Sequence, residues 1–148
     1  MKKLNIDEVN FSGKTVLMRA DFNVPLDDNQ NITDDFRIQA ALPSIKKIMN
    51  DGGKLVLCSH LGRPKGERKP EMSLKPVADK LNELLNKEVK FIDDCIGNEV
   101  ESAKQNMQNG EVILLENLRY YKEETKNDPD LAEKLAAGCD LFVNDAFG

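Results

Sequence analysis

The sequence predicts an α/β fold built on an open, doubly wound parallel sheet. Short aliphatic runs of β character alternate along the chain with stretches whose apolar residues recur at helical spacing. The strand-like runs are apolar through their middles, as strands covered on both faces are. Clusters of polar and charged residues fall just after these runs, where open parallel sheets gather their ligands.

Thr15–Ala20 reads as the first strand, and Asp21-Phe22-Asn23-Val24-Pro25 breaks it. A helix follows over Arg37–Asn50, where Ile38, Ala41, Leu42, Ile45, Ile48 and Met49 line one face. Thr33 or Asp34 can cap it and Asn50-Asp51-Gly52-Gly53 stops it, while Pro43 inside the pattern predicts a kink or a delayed start. Lys54–Cys58 is the second strand, followed by a loop rich in Gly, Pro, Lys and Arg from Gly62 to Pro70. Ser73 then caps a helix running to Asn86, with Pro76 tolerated in a first turn that has no amide partners to lose. Glu88–Ile92 is the third strand, a weaker helix spans about Gly97 to Asn109, and Glu111–Leu115 is the fourth strand. Asp128-Pro129-Asp130 starts another helix that Gly138 stops, and Asp140–Asn144 is the fifth strand. No repeat, low-complexity tract or linker interrupts the series. Residues 1–148 therefore form one unit, a Rossmann-like three-layer sandwich.

Composition agrees with a globular protein. Of 148 residues 40% are hydrophobic and 32% charged, enough for a core at a size where folding buries roughly 68–70% of the unfolded surface. No aliphatic run approaches the ~20 residues of a membrane span, and the amino terminus lacks the apolar stretch of a signal peptide. A net charge of −5 disfavours nucleic acid and anionic lipid as partners. Three cysteines, Cys58, Cys95 and Cys139, without a CxxC pair and with a single histidine, fit neither a zinc site nor a disulfide framework, and read as reduced thiols of a cytoplasmic protein.

The chain has few arginines: Arg19, Arg37, Arg63, Arg68 and Arg119. Arginine suits bidentate binding of carboxylate and phosphate, so each raises its own question. After the first strand stand Asp21 and Asn23, after the second Ser59-His60-Leu61-Gly62-Arg63-Pro64, after the fourth Glu116-Asn117-Leu118-Arg119-Tyr120, and after the fifth Asn144-Asp145-Ala146-Phe147-Gly148. Arg37 opens the first helix at the same edge, where helix amino termini add partial positive charge. A local cluster of cations in an acidic protein points to a small anion charged at both ends. Blander readings stand beside this one: Asp21 and Asn23 as turn residues, His60 as a structural histidine, and Arg119 paired at the surface with Glu116, Glu123 or Glu124. Arg19 reads as structural and Arg68 as solvated. Neither GxGxxG nor GxxxxGK[ST] occurs, so both familiar nucleotide loops are missing.

With these clusters in order, the sequence resembles the amino-terminal part of the phosphoglycerate kinase family along essentially its whole length. The resemblance rests on Met18-Arg19-Ala20-Asp21-Phe22-Asn23-Val24-Pro25-Leu26, Arg37-Ile38, Ser59-His60-Leu61-Gly62-Arg63-Pro64, Leu115-Glu116-Asn117-Leu118-Arg119-Tyr120 and Asn144-Asp145-Ala146-Phe147-Gly148. It implies a two-domain glycolytic enzyme that moves a phosphoryl group between 1,3-bisphosphoglycerate and ADP, the amino-terminal domain holding 3-phosphoglycerate and the other the magnesium nucleotide. Carried over by position, Asp21 accepts a hydrogen bond from the substrate hydroxyl, Asn23 orients the carboxylate end, and His60, Arg63 and Arg119 hold the 3-phosphate. Arg37 stands near the reacting carboxylate and is the catalytic candidate; phosphoryl transfer needs chiefly positioning and electrostatics, and no residue of this chain has to act as a nucleophile.

The resemblance also implies that family members continue beyond the final motif. The expectation is thus a truncated phosphoglycerate-binding domain, unable to catalyse transfer alone, with no Mg-ATP or Mg-ADP and no metal bound to it. The longer enzyme is expected to be a monomer, whereas this chain is expected to self-associate through uncovered apolar surface. Two other classes stay open on sequence alone: a stand-alone module that binds a phosphorylated metabolite, and an interaction domain whose loop clusters only satisfy turns.

Overall fold

A computed structural model describes residues 9–62, 70–120 and 129–144. The five expected strands form within a residue or two of their predicted bounds: β1 Thr15–Arg19, β2 Lys54–Cys58, β3 Val89–Ile92, β4 Val112–Leu115 and β5 Leu141–Asn144. They make one sheet in the order β3-β4-β2-β1-β5, and every pairing is parallel. Among the described residues four α-helices connect them: α1 Phe36–Asn50, α2 Lys75–Leu85, α3 Asn98–Gln105 and α4 Pro129–Ala136.

Strand alternation sorts the side chains into two cores. Val16, Met18, Leu55, Leu57, Val112 and Leu114 face α1 and α2, where Ile38, Ile45, Ile48, Val77 and Leu81 are buried. Leu17, Val56, Cys58, Ile113 and Leu115 face α3 and α4, packed by Val100, Ala103, Leu131 and Leu135. The connectivity explains the split. The chain steps outward from β1 to β2 to β3, then returns through β4 to β5; right-handed crossovers in opposite directions put their helices on opposite faces. Neighbours β2 and β4 therefore send their following helices to opposite sides, which opens a crevice between their carboxyl ends.

Local chemistry moves some boundaries. Helix α1 begins at Phe36 and is continuous through Pro43, so its start is not delayed. Gln39 and Pro43 both lie on the exposed face, so the carbonyl left without its i+4 donor turns toward water. At the start of α1, Asp34 Oδ1 accepts from the Phe36 N–H at 3.0 Å, whereas the Thr33 hydroxyl donates to the Pro25 carbonyl at 3.3 Å. The carboxylate of Asp35 instead accepts from Gln39 and lies 3.5 Å from Lys80 Nζ of α2. Helix α3 ends at Gln105 rather than Asn109, because Met107 folds into the core and the Gly110 N–H reaches the Gly53 carbonyl at 2.8 Å to lead into β4. Gly53 itself stands where α1 meets β2, and a Cβ there would lie 2.9 Å from Ile48 Cγ2. Asp128 and the motif after Asn144 lie outside the described residues.

Candidate functional site

The parallel register brings the strands to a common end: Arg19 pairs with Cys58 on one side and with Asn144 on the other, and Leu57 pairs with Leu114. The loops after β1, β2 and β4 consequently leave the sheet side by side. Asp21, Asn23 and Arg37 meet directly. Arg37 Nη1 donates to Asp21 Oδ1 at 3.3 Å and to the Asn23 carbonyl at 2.7 Å, and Asp21 Oδ1 also accepts from the Asn23 N–H at 3.2 Å. Asp21 thus makes the turn contact of the blander reading and an ion pair besides. Half of the Arg37 side chain and about a third of Asp21 stay exposed, at 50% and 35%. Both described bonds of Arg37 use Nη1, which leaves the remaining edge of its fork for a planar anion.

His60 and Arg119 reach the same edge through backbone ties. Ser59, fully buried, accepts from the Phe22 N–H on its hydroxyl at 3.0 Å, and its carbonyl accepts from the Leu118 N–H at 3.0 Å. One residue before His60 therefore joins the loops of all three strands. Asn23 Oδ1 accepts from the Gly62 N–H at 2.9 Å, closing a second link between the β1 and β2 loops. Gly62 has φ +63, and a Cβ there would stand 3.2 Å from Met72 Sδ, so glycine suits this turn on both counts. Arg119 is carried on a single 3₁₀ turn, Leu118–Tyr120, immediately beyond β4. His60 and Arg119 are both half-buried. Arg63 lies outside the described residues.

Sequence reading passed over the residues that hold these loops. Glu116 is 2% exposed and Asn117 fully buried. Glu116 Oε1 accepts from the Leu74 and Asn117 N–H groups, both at 2.8 Å, and Oε2 accepts from the Ser73 hydroxyl at 2.6 Å. The start of α2 is therefore capped from another element, with Ser73 also accepting from the Lys75 N–H at 3.1 Å. A surface role for Glu116 is thereby excluded. Among the described residues no group of three or more His, Cys, Asp or Glu side chains is arranged to hold a metal ion, and no helix is long and apolar enough to cross a membrane.

The family profile described as phosphoglycerate kinase matches residues 6–148. The chain belongs to the phosphoglycerate kinase family. It is 58% identical over 148 residues to the phosphoglycerate kinase of Chloroherpeton thalassium, covering 100% of this chain and 37% of that protein. It is 57% identical over 144 residues to the chloroplastic phosphoglycerate kinase 2 of Arabidopsis thaliana, covering 97% of this chain and 30% of that one. Among solved structures, the phosphoglycerate kinase of Pyrococcus horikoshii matches with a TM-score of 0.86 and 34% identity, over 98% of this chain and 37% of that one. That of Coxiella burnetii matches with a TM-score of 0.84 and 39% identity, over 97% and 35%. The chain thus spans 30–37% of the length of these phosphoglycerate kinases.

Proposed function

We propose that this chain forms the 3-phosphoglycerate side of a phosphoglycerate kinase, which transfers a phosphoryl group between 1,3-bisphosphoglycerate and ADP to give 3-phosphoglycerate and ATP. The observation that carries the reading is the Asp21–Arg37 pair at the carboxyl edge of the sheet, tied through Ser59 and Asn23 to the loops of His60 and Arg119. A ligand with a hydroxyl between two anionic ends matches one acceptor carboxylate flanked by cations. Asp21 takes the hydroxyl proton as a hydrogen bond and Asn23 orients the carboxylate end. His60 and Arg119, with Arg63 assigned by family position, hold the phosphate. Arg37 spreads the charge that develops on the phosphoryl group in flight, a stabilisation made chiefly in the transition state.

The magnesium nucleotide is the second substrate, and its site belongs to the part of the relatives' length that this chain does not span. On this reading the chain binds phosphoglycerate in the cytoplasm and transfers nothing by itself. Titration with 3-phosphoglycerate, followed by amide chemical shifts, tests it. Shifts centred on Asp21, His60 and Arg119 are expected, with none on adding Mg-ATP alone. Shifts confined to other regions would overturn the site, and ATP-dependent turnover by the purified chain would overturn the division of labour.

A further inference from the structure

The side chain of Asn117 bridges the loops that leave the carboxyl ends of β2 and β4. Its Oδ1 accepts from the Leu61 N–H at 3.2 Å and the Arg119 N–H at 3.0 Å. Its Nδ2 donates to the Leu61 carbonyl at 2.7 Å and the Met72 carbonyl at 2.9 Å. Both lone pairs and both hydrogens of the amide are therefore used, in full burial. The two carbonyls require nitrogen on one side and the two N–H groups require oxygen on the other, so the amide fits in one orientation only.

The four bonds fall at particular places. Leu61 follows His60, Arg119 is itself a partner, and Leu61 and Met72 are the two stems of the segment that contains Arg63. We propose that Asn117 is the positioning residue of the phosphate end: one buried amide sets the spacing of the loops that carry His60 and Arg119, and so their fit to a phosphate monoester. The inference rests on the function proposed above, and it adds a residue that touches no substrate. The other end of the ligand is organised chiefly by the Arg37 bonds to Asp21 and to the Asn23 carbonyl, and meets the Asn117 network only where Asn23 Oδ1 accepts from the Gly62 N–H. A change at Asn117 should therefore affect the phosphate and spare the rest.

That asymmetry supplies the test. The 148-residue chain, its Asn117→Asp variant and a Ser73→Ala control are titrated with 3-phosphoglycerate and with glycerate, read by amide shifts, which reach millimolar affinities. Asn117→Asp keeps the shape and the acceptors but turns an oxygen toward the Leu61 and Met72 carbonyls, which drives the stems apart. Ser73→Ala breaks the bond to Glu116 and leaves all four Asn117 bonds in place. In Asn117→Asp the preference for 3-phosphoglycerate over glycerate should fall about tenfold or more, the worth of a misplaced charge-assisted contact. Glycerate affinity should hold within about twofold, a change of less than ~0.5 kcal/mol. Ser73→Ala should lower stability and keep the preference.

Equal losses for both ligands in Asn117→Asp would show a merely structural residue, and an unchanged preference would remove the role altogether. A parent chain that does not prefer 3-phosphoglycerate would instead overturn the functional reading beneath. Should Asn117→Asp fail to fold, hydrogen exchange in the parent chain decides. The Leu61 and Arg119 amides share one acceptor, so saturation with 3-phosphoglycerate should slow both together and glycerate neither. Protection gained at only one of them would overturn the proposal.

Discussion

Ser59, Glu116 and Asn117 are polar residues buried beneath the ligand edge, and each is buried because backbone groups of a neighbouring loop have nowhere else to bond. Their worth lies in the asymmetry of hydrogen bonding, since a bond made inside contributes modestly whereas a buried donor left without a partner costs its desolvation. Ser59→Ala keeps the volume but strands the Phe22 N–H in the core. The variant should lose about 1–3 kcal/mol of stability, seen as a lower urea midpoint with an unchanged slope. It should also bind 3-phosphoglycerate more weakly, because the β1 and β2 loops lose their shared anchor. An unchanged midpoint would mean that water replaces the hydroxyl. At this scale the sequence showed the residues that point outward. Asp21, Arg37, His60 and Arg119 are legible because a charge just after an apolar strand has few structural reasons to be there. Ser59, Glu116 and Asn117 looked like ordinary loop polarity, because their partners are backbone groups remote in sequence: Phe22, Leu74, Leu61 and Met72.

Strands were easier to read than helix ends for a related reason. A buried parallel strand announces itself by composition, as Leu55-Val56-Leu57 does, whereas a helix stops where tertiary partners make stopping favourable. Helix α2 begins at Lys75 because Glu116 accepts the Leu74 N–H, a fact held in another element. Helix α4 is held in the same way. Lys104 of α3, with only 3% of its side chain exposed, donates to the Leu135 and Ala137 carbonyls at 2.8 and 3.0 Å and lies 3.4 Å from Glu101. A buried ammonium thus closes the carboxyl end of α4, where carbonyls lack partners and the helix dipole favours a cation. Lys104→Met should cost about 1.5–3 kcal/mol by stranding those carbonyls, with early hydrogen exchange in α4 and β5 while α1 and β2 stay protected. Helix α1 is anchored at its carboxyl end by Asp51, which accepts from Lys47 Nζ at 2.7 Å and from the Phe11 N–H at 3.2 Å. The Lys47 bond first, and the Phe11 bond second, hold this carboxyl below its ordinary value of 3.8. A folded value below the unfolded one gives stability that is full above 3.8 and lost as pH falls through the folded value. Asp51→Asn should therefore lower stability at pH 7, where the contribution is full, and flatten the acid limb below about pH 4, where the parent has already lost it. An acid limb identical to that of the parent would remove Asp51 from the acid response.

The molecule as a whole is two apolar cores divided by one sheet, with the ligand edge at the end where the strands stop in register. None of the described candidate substrate contacts lies in either core, so ligand and fold are coupled through the loop ties at that edge. That coupling has a measurable size. A ligand that binds the folded chain alone stabilises it by RT ln(1 + [L]/Kd), about 2.7 kcal/mol at a hundredfold excess over Kd. For a chain of this length each kcal/mol raises Tm by roughly 2–4 °C, so saturation with 3-phosphoglycerate should raise it by about 5–10 °C. The chain has no tryptophan, so the transition is best followed by far-ultraviolet circular dichroism. Phe142 on edge strand β5 is 58% exposed and offers apolar surface for self-association, which would raise Tm with protein concentration instead. Scans at two protein concentrations separate the causes: the ligand's shift persists on dilution, an association shift shrinks. Asp21→Asn, which removes the proposed hydroxyl contact and weakens the tie to Arg37, should reduce the ligand-induced shift by several degrees at fixed ligand concentration. A full shift in that variant would mean that the ligand gains its stabilisation without the β1 loop, and the two-ended reading of the site would fail.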